Sequence, residues 1–209
     1  MSGILNPDVE KYLDGCLPKR DPILAEMESY ARKHRVPIIG PACGRLLYQL
    51  TQISGAKRIF EMGSAIGYTA LWFARAAGPA AEIFFTDSDP ANIQRAKNYL
   101  GRASLADRVR FLLGDALDSF DSVAGEFDVI LIDIFKHQYP AALEKAIPRL
   151  RRGGLLIADN VLWSGNVARR AKDKDTRAIQ RFNRAIYSSP DLFPVIVPLR
   201  DGVAVCRKS

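Results

Sequence analysis

From residue 57 onward, short apolar runs alternate with segments in which apolar residues recur at helical spacing. The apolar runs predict β-strands, and the segments between them predict helices. Alternation of this kind indicates an α/β fold with a parallel sheet covered by helices on both faces. The predicted strands are 57–62, 82–87, 109–113, 127–133 and 153–158, and the predicted helices are 67–77, 90–102, 116–124, 138–151 and 174–188.

The two ends of the chain depart from this alternation. Residues 1–55 predict only helices and form an N-terminal helical cover. Near the other end, two apolar runs flank Asp201 and Gly202, which is a signal for a β-hairpin. We therefore predict one domain over 1–209, with an α/β core at 56–209 that an antiparallel pair of strands closes.

Composition limits the class of protein. No apolar run is long enough to span a membrane, and the N-terminus lacks the apolar core of a signal peptide, so we expect a cytoplasmic protein. Cys16, Cys43 and Cys206 share no metal-like spacing, which favours buried free thiols in a reducing cytoplasm. The net charge of +7 permits an anionic substrate or a nucleic acid, although clusters of basic residues are often only solvated surface.

Residues 58–69 predict a strand that enters a helix through a glycine-containing turn. Gly63 and Gly67 stand alone there, so the G-x-G-x-x-G pattern of dinucleotide-binding proteins is missing. Glu61, just before the turn, would repel a pyrophosphate and would suit a ligand with positive charge. S-adenosylmethionine (SAM) carries a sulfonium and an ammonium group and no phosphate, so we predict SAM as the ligand. The alternative is a structural turn beside a solvated glutamate.

Carboxylates stand at or just after the ends of the five predicted strands, at the edge where open α/β sheets bind ligands. In a chain of net charge +7, this arrangement predicts a site for cationic ligands. Asp87 could accept hydrogen bonds from both ribose hydroxyls, and Asp115 could accept one from the adenine amino group. Each could instead cap the next helix. The five carboxylates are Glu61, Asp87, Asp115, Asp133 and Asp159.

Asp133 and the pair Asp159-Asn160 form the most specific group. They follow two predicted strands that we expect to be neighbours, about 4.8 Å apart, so their side chains can converge. Two carboxylates and an amide oxygen are hard ligands that suit Mg²⁺, Ca²⁺ or Mn²⁺ better than zinc. The alternative is two helix caps and a loop asparagine.

Three more residues near these carboxylates are candidates for chemistry. Lys136 lies about one helical turn after Asp133 and could act as a general base beside a divalent cation; the alternative is a surface lysine. Trp163 and Tyr139 could form walls of a substrate site, or they could simply pack in the core.

These motifs resemble those of the cation-dependent class I SAM O-methyltransferases, which include catechol and caffeoyl-CoA O-methyltransferases and many bacterial relatives. The resemblance covers about 36–207. Its motifs are E-x-G-x-x-x-G-Y-S/T at 61–69, D-x-x-K-x-x-Y at 133–139, D-N-x-L-W-x-G at 159–165, and the closing hairpin at 199–207. Phe135 departs from the caffeoyl-CoA type, which has Asp there, and Ala42 departs from many bacterial members, which have an acid.

The resemblance implies a single Rossmann-like domain with a seven-stranded, mostly parallel sheet of order 3-2-1-4-5-7-6, usually in a homodimer. It implies that Lys136 is the catalytic base. It also implies metal ligands at Asp133, Asp159 and Asn160. The implied SAM contacts are Ile39, Glu61, Gly63, Ser64, Thr69, Asp87 and Ala116.

From these features we expect SAM-dependent, Mg²⁺-dependent methyl transfer to a hydroxyl of a small catechol-like or phenolic acceptor. One alternative is O-methylation of a hydroxyuridine in tRNA, which the basic clusters permit. A second is a SAM-binding protein without catalysis, against which Lys136 and the metal ligands argue. The sequence does not identify the acceptor, the position that is methylated or the metal used in the cell.

Overall fold

The computed structural model describes residues 4–209 of the 209-residue chain. Within these residues it contains eight α-helices and seven β-strands. The helices are α1 (Pro7–Cys16), α2 (Pro22–His34), α3 (Gly40–Ser54), α4 (Tyr68–Ala77), α5 (Pro90–Arg102), α6 (Ala116–Ser122), α7 (Tyr139–Arg149) and α8 (Lys174–Ser188). The strands are β1 (Arg58–Met62), β2 (Glu82–Asp87), β3 (Val109–Leu113), β4 (Phe127–Ile132), β5 (Leu150–Ala158), β6 (Leu192–Val197) and β7 (Val203–Lys208).

The described chain divides into two compact units. We call Leu17–Ala124 the first unit, and we call the residues up to Cys16 together with Gly125–Ser209 the second unit. The strands have the order β3-β2-β1-β4-β5-β7-β6, which confirms the predicted sheet order. The single domain over 1–209 stays a prediction.

In the first unit, β1, β2 and β3 are parallel neighbours. The apolar residues of β1 and β2 are buried, as the continuous apolar runs predict. In β3, at the edge of the sheet, Val109 is buried and Leu113 is exposed. Phe60 lies opposite Phe84 in the register, with ring centroids 5.8 Å apart, and Phe120 of α6 packs edge-on against Phe60 at 4.8 Å. Because the strands are parallel, the loops that follow them lie at one edge of the sheet.

In the second unit, β4 and β5 are parallel, with Ile132 opposite Ala158. β7 is antiparallel to both β5 and β6. The predicted antiparallel pair at the end of the chain is therefore confirmed, and the turn through Asp201 and Gly202 leads directly into β7.

A carboxylate caps the first turn of α2, α5, α6 and α8, and the last three begin at the predicted residues. Asp21 Oδ1 accepts hydrogen bonds from the backbone N–H groups of Ile23 and Leu24, at 3.0 and 3.3 Å. Asp89 and Asp173 cap α5 and α8 in the same way. These caps satisfy backbone donors that have no partner within the helix.

Several boundaries differ from the predicted ones: α6 ends at Ser122 rather than at residue 124, and α7 ends at Arg149 rather than at residue 151. α3 begins at Gly40, and Pro41 fits the first turn, where no backbone N–H is needed. β5 begins at Leu150 rather than at residue 153, with Gly153 at φ 75° inside the strand and a register shift in its pairing with β4. A glycine in that conformation marks an irregular strand. Because glycine usually indicates the end of a strand, the sequence pattern does not predict the start at Leu150.

Two expectations drawn from the composition concern membrane-spanning segments and the state of the cysteines. None of the helices formed by residues 4–209 is long and apolar enough to cross a membrane. Cys16, Cys43 and Cys206 are free thiols; Cys43 and Cys206 are buried as predicted, whereas the prediction of burial is wrong for Cys16, which is exposed. Burial raises the pKa of the Cys206 thiol to about 12, so it stays protonated and packs as a small apolar side chain.

Candidate functional site

The loop between β1 and α4 in the first unit adopts a conformation that its residue types permit. Gly63, Ala65 and Gly67 all have positive φ, at 83°, 45° and 84°. A Cβ atom on Gly67 would lie 2.8 Å from the Cβ of Ala96, so the start of α4 can approach α5 this closely only with glycine. The two glycines therefore serve a tight turn and a close helix contact.

Thr86, the fully buried residue before the end of β2, holds this loop in place. Its Oγ1 accepts a hydrogen bond from the N–H of Gly63 at 3.0 Å and donates one to the carbonyl of Glu61 at 2.8 Å. Its carbonyl accepts from the N–H of Ser64 at 2.9 Å, and Gly67 N–H donates to the Ser64 carbonyl at 2.9 Å. Three loop N–H groups are thus used inside the protein. They do not form the nest of free donors that binds a pyrophosphate.

Asp87, at the end of β2, does not cap α5, because Asp89 does so by accepting from the N–H of Ala91 at 2.8 Å. Instead, Asp87 Oδ1 accepts from the N–H of Asp89 at 2.8 Å and from Asn92 Nδ2 at 3.2 Å. Both bonds fix the orientation of the carboxylate. The capping alternative for Asp87 is therefore wrong, and its role toward a ligand stays a prediction.

Asp115 is the N-cap of α6. Its Oδ1 accepts hydrogen bonds from the backbone N–H groups of Leu117 and Asp118, at 2.8 and 3.3 Å. The capping alternative is thus realised here, and Ala116 is the first residue of the helix. Gly114 N–H donates to the Asp87 carbonyl at 3.0 Å, which places the two loop segments side by side.

The other residues predicted to contact the cofactor are buried side chains. Glu61 lies within β1 and has no exposed surface, which excludes the solvated glutamate of the structural alternative. Ser64, Thr69 and Ile39 are 5%, 6% and 3% exposed. A buried carboxylate is costly without compensating charge or hydrogen bonds, so Glu61 gives the interior of this unit a strong preference for positive charge.

In the second unit, the ends of β4 and β5 bring the predicted metal ligands together. Ile132 and Ala158 are paired in the register, so Asp133 and Asp159 follow directly at the same edge. The N–H of Asp159 donates to the Ile132 carbonyl at 3.2 Å. Asp159 is 2% exposed and Asn160 is 7% exposed, with φ 56° at Asn160. Asp133 and Asp159 thus lie at the ends of neighbouring strands, and their convergence on one ion stays a prediction.

The Asp159 carboxylate is divided between a used and an unused oxygen. Oδ2 forms an ion pair with Arg200, whereas Oδ1 is buried and has no hydrogen-bond partner within the described residues. The Nδ2 of Asn160 is also buried and unpartnered within residues 4–209. Burial first, and then the charge of Asp133, raise the pKa of Asp159 to about 7, against the opposing effect of Arg200. A buried carboxylate oxygen without a partner needs an explanation, and a cation bound to Asp159 Oδ1 would provide one. The Asn160 Nδ2 is a hydrogen-bond donor, which a cation does not satisfy.

The donor set fits a hard divalent cation in its chemistry. Asp133 and Asp159 supply carboxylates, and Asn160 supplies an amide. Within residues 4–209, no group of three or more His, Cys, Asp or Glu side chains could hold a metal ion. An ion bound by two carboxylates would therefore depend on the amide, on water and on the acceptor for its remaining ligands.

Lys136 is a buried residue, 8% exposed, so the surface-lysine alternative is wrong. Its Nζ donates hydrogen bonds to Asp133 Oδ1 at 3.1 Å and to the Tyr139 hydroxyl at 2.7 Å. The half-buried Trp163 ring centroid lies 6.0 Å from the same Nζ. Lys136 is thus held beside the carboxylate by its neighbours.

Tyr139 is buried in the core and does not form a wall of the substrate site. It has no exposed surface, and its hydroxyl donates to the Asp159 carbonyl at 2.8 Å while accepting from Lys136. Burial, reinforced by Asp133 and Asp159, raises the pKa of Tyr139 well above its usual range, so the hydroxyl stays neutral. The prediction that Tyr139 forms a wall facing the substrate is corrected: its ring packs in the core, and its hydroxyl positions Lys136.

Arg200 and Asp201 are missing from the residues predicted to form this site. The antiparallel register pairs Ala158 with Ala204, which brings the turn before β7 next to Asp159. Asp201 is 1% exposed, and its Oδ1 accepts from the N–H of Ser164 at 2.5 Å. The Asp-Gly pair predicts a turn, and the strand order of the resemblance is the one signal that could have placed this turn beside the site.

Comparisons with known proteins agree with this fold. A sequence profile of the O-methyltransferase family matches residues 18–209. Catechol O-methyltransferase from Mycobacterium tuberculosis is 33% identical over 189 residues, which cover 89% of this chain and 86% of the relative. Caffeoyl-CoA O-methyltransferase 1 from Eucalyptus globulus is 27% identical over 206 residues, which cover 91% and 83%. The crystal structure of an O-methyltransferase from Bacillus cereus in complex with SAH has a TM-score of 0.87, at 28% identity and 97% coverage of both chains.

The fold and these matches define a SAM-dependent O-methyltransferase. The chain belongs to the O-methyltransferase family. This confirms the predicted family, and with it SAM as the methyl donor. The divalent cation, the catechol-like acceptor, the homodimer, the cytoplasmic location and the roles of individual site residues stay predictions. The relatives named above give no support to the tRNA alternative.

Proposed function

We propose that the protein methylates a hydroxyl of a small catechol-like or phenolic acceptor and that it needs a divalent cation, Mg²⁺ in the first place, to do so. The observation that carries this proposal is the buried Asp159 carboxylate, whose Oδ1 has no hydrogen-bond partner within the described residues and which lies beside Asp133. A carboxylate in that environment is a good ligand for a cation, because its buried oxygen is not solvated by water.

In this proposal the first unit binds SAM. The oriented Asp87 carboxylate would accept hydrogen bonds from the ribose hydroxyls, and the buried Glu61 would favour the positively charged part of the ligand. A loop whose N–H groups are already hydrogen-bonded suits a ligand without phosphate. The remaining proposed contacts are Ile39, Gly63, Ser64, Thr69, Asp115 and Ala116.

The second unit would hold the acceptor and the cation. Asp133, Asp159 and Asn160 would bind the cation, which in such a site acts as a Lewis acid and lowers the pKa of an acceptor hydroxyl. Lys136 would take the proton of that hydroxyl, since Asp133 and Tyr139 hold its Nζ in place. SAM would supply the methyl group: a bond from the acceptor oxygen to the methyl carbon would form, the carbon–sulfur bond would break, and a neutral thioether would leave.

Aromatic residues support an aromatic acceptor. Phe135 is 75% exposed and stacks on His137, with ring centroids 5.9 Å apart, and Trp163 lies beside Lys136. Exposed aromatic faces of this kind can stack on a flat ring. The relatives named for catechol and caffeoyl-CoA carry the same suggestion for this chain.

The decisive experiment is a methyl-transfer assay with labelled SAM against catechols, CoA esters and bulk tRNA, with Mg²⁺ and after treatment with EDTA. We expect transfer to catechols that EDTA abolishes and Mg²⁺ restores. Asp159→Ala should lose this activity, whereas Asp173→Ala, which removes a helix cap elsewhere in the second unit, should keep most of it. Activity that survives EDTA, or that survives Asp159→Ala, would contradict the metal-dependent mechanism.

A further inference from the structure

We propose that Arg200 is an internal cation that occupies the Asp159 carboxylate in the metal-free protein and competes with the divalent ion for it. Arg200 would therefore lower the metal affinity of the site and keep its metal-free form folded. This inference rests on the proposed function, because it assumes that Asp159 is a metal ligand.

The ion pair itself is the first observation. The Arg200 guanidinium contacts Asp159 Oδ2, and the side chain of Asp159 is 3% exposed, while that of Arg200 is 29% exposed. A carboxylate that is this deeply buried needs a counter-charge, because its ionised form loses its hydration. Arg200 supplies that charge from the solvent side without any metal.

The backbone at Arg200 is the second observation. Arg200 has φ 55°, in the left-handed region that residues with a side chain seldom adopt. Its turn is tied to the metal-ligand loop, since Leu162 N–H donates to the Asp201 carbonyl at 3.0 Å and Val161 N–H donates to the Gly202 carbonyl at 3.1 Å. The turn thus fixes Arg200 next to Asp159.

Close packing supports the same turn. A Cβ atom on Gly202 would lie 2.4 Å from Leu162 Cγ, so the turn and the loop after Asn160 touch as closely as backbone allows. The packed turn holds the backbone of Arg200 beside the loop after Asn160, and from there the guanidinium reaches Asp159.

The charges around Tyr139 give the direction of the effect. Asp133, Asp159 and Asp201 act on its hydroxyl together with Arg200, and Lys136 donates a hydrogen bond to it. A divalent ion and a guanidinium on the same carboxylate repel each other, so an ion that binds Asp159 must work against Arg200.

The test measures Mn²⁺ binding by isothermal titration calorimetry, together with the thermal unfolding of the metal-free protein. Arg200→Gly suits the positive φ and removes the charge, Arg200→Met removes the charge and keeps a long side chain, and Arg200→Lys keeps the charge. Arg170→Gly, an exposed loop residue of the same unit, controls for the change in net charge.

We expect Arg200→Gly and Arg200→Met to bind Mn²⁺ at least about tenfold more tightly than the wild type, because a like charge next to the ion is gone. Their metal-free forms should unfold at a lower temperature, and Mn²⁺ should raise that temperature more than it does for the wild type. Arg200→Lys and Arg170→Gly should bind Mn²⁺ as the wild type does. If Arg200→Gly fails to fold without metal, Arg200→Met provides the same comparison.

Each other result has a defined meaning. If both charge-removing variants bind Mn²⁺ as the wild type does, or more weakly, Arg200 does not compete and the inference is overturned while the metal site stands. If Mn²⁺ binds to the wild type and to Asp159→Ala equally, or to neither wild type nor variants, the proposed metal site fails and the inference fails with it.

Discussion

The two units treat the carboxylates at their strand ends in different ways. In the first unit, Asp115 caps a helix and Asp87 has its Oδ1 fixed by two hydrogen bonds. In the second unit, Asp159 has a buried oxygen without a partner within the described residues and an ion pair on the other oxygen. A carboxylate that caps a helix is already satisfied, so its binding role is secondary. A buried carboxylate oxygen that no helix N-terminus of the described chain satisfies, such as Asp159 Oδ1, supports the proposed cation site.

The supporting residues differ in the same way. Thr86 uses hydrogen bonds to fix a backbone loop in the first unit, whereas Tyr139 fixes the side chain of a charged residue, Lys136, in the second. Thr86 therefore fixes the shape of a loop in the first unit, and Tyr139 fixes the position of a charge in the second. The predictions below test this contrast, in order of decreasing effect.

The largest effect should come from Lys136. We expect Lys136→Met to lower kcat by about 10²–10⁴-fold, the usual contribution of a general base, with little change in SAM affinity. Steady-state kinetics and calorimetric SAM titration measure the two quantities. Lys174→Met, an exposed lysine in the first turn of α8, is the matched control and should keep kcat. A Lys136→Met enzyme with normal kcat would remove the proposed base.

The next effect should come from Thr86 and should concern the first unit alone. Thr86→Val leaves the N–H of Gly63 and the carbonyl of Glu61 without their hydroxyl partner, which should cost about 1–3 kcal/mol of stability. It should also weaken SAM binding, because the loop loses its support. Chemical denaturation and SAM titration provide the measurement, and Thr86→Ser, which keeps the hydroxyl, is the control.

The Mn²⁺ affinity of Thr86→Val tests whether the two units act separately. We expect Thr86→Val to bind Mn²⁺ like the wild type, because none of the proposed metal ligands bonds to Thr86. Equal weakening of SAM and Mn²⁺ binding would show that the two sites do not behave independently, and the contrast between shape and charge would be lost.

The contrast also explains how much of the molecule could be predicted from the sequence. The ranges of α5, β2, β3 and α8 could be predicted because apolar runs and capping residues such as Asp89 and Asp173 are local signals. The pair Asp133 and Asp159 could be predicted because each follows a strand. Arg200 and Thr86 could not, since their roles depend on contacts between segments that are distant in the chain.

A third prediction concerns the pH dependence of the metal-free protein. Burial and Asp133 raise the pKa of Asp159 in the folded state to about 7, above the 3.8 of an unperturbed carboxyl. The folded state therefore holds the proton more tightly than the unfolded state, and stability falls as the pH rises from about 4 through 7. Thermal unfolding between pH 5 and 8 should show this fall, and Asp159→Asn should reduce it. An unchanged slope in Asp159→Asn would assign the effect to other groups.

The smallest effect should come from Asp21, a carboxylate that serves structure alone. Its Oδ1 caps α2, and its Oδ2 pairs with Arg75 at 2.5 Å, which lowers the pKa of this half-buried group. Its contribution is therefore present above pH 3.8 and is lost as the pH falls through the lowered pKa.

Two substitutions separate the two roles of Asp21. Asp21→Asn keeps an oxygen for the cap and should cost less than about 1 kcal/mol, because the ion pair with Arg75 is partly solvated. Asp21→Ala loses the cap as well and should cost about 1 kcal/mol more, measured by denaturant unfolding at pH 7. Neither variant should change the affinity for SAM or Mn²⁺. A change in Mn²⁺ affinity would mean that a purely structural carboxylate influences the charged site, which would weaken the distinction between satisfied and unsatisfied carboxylates.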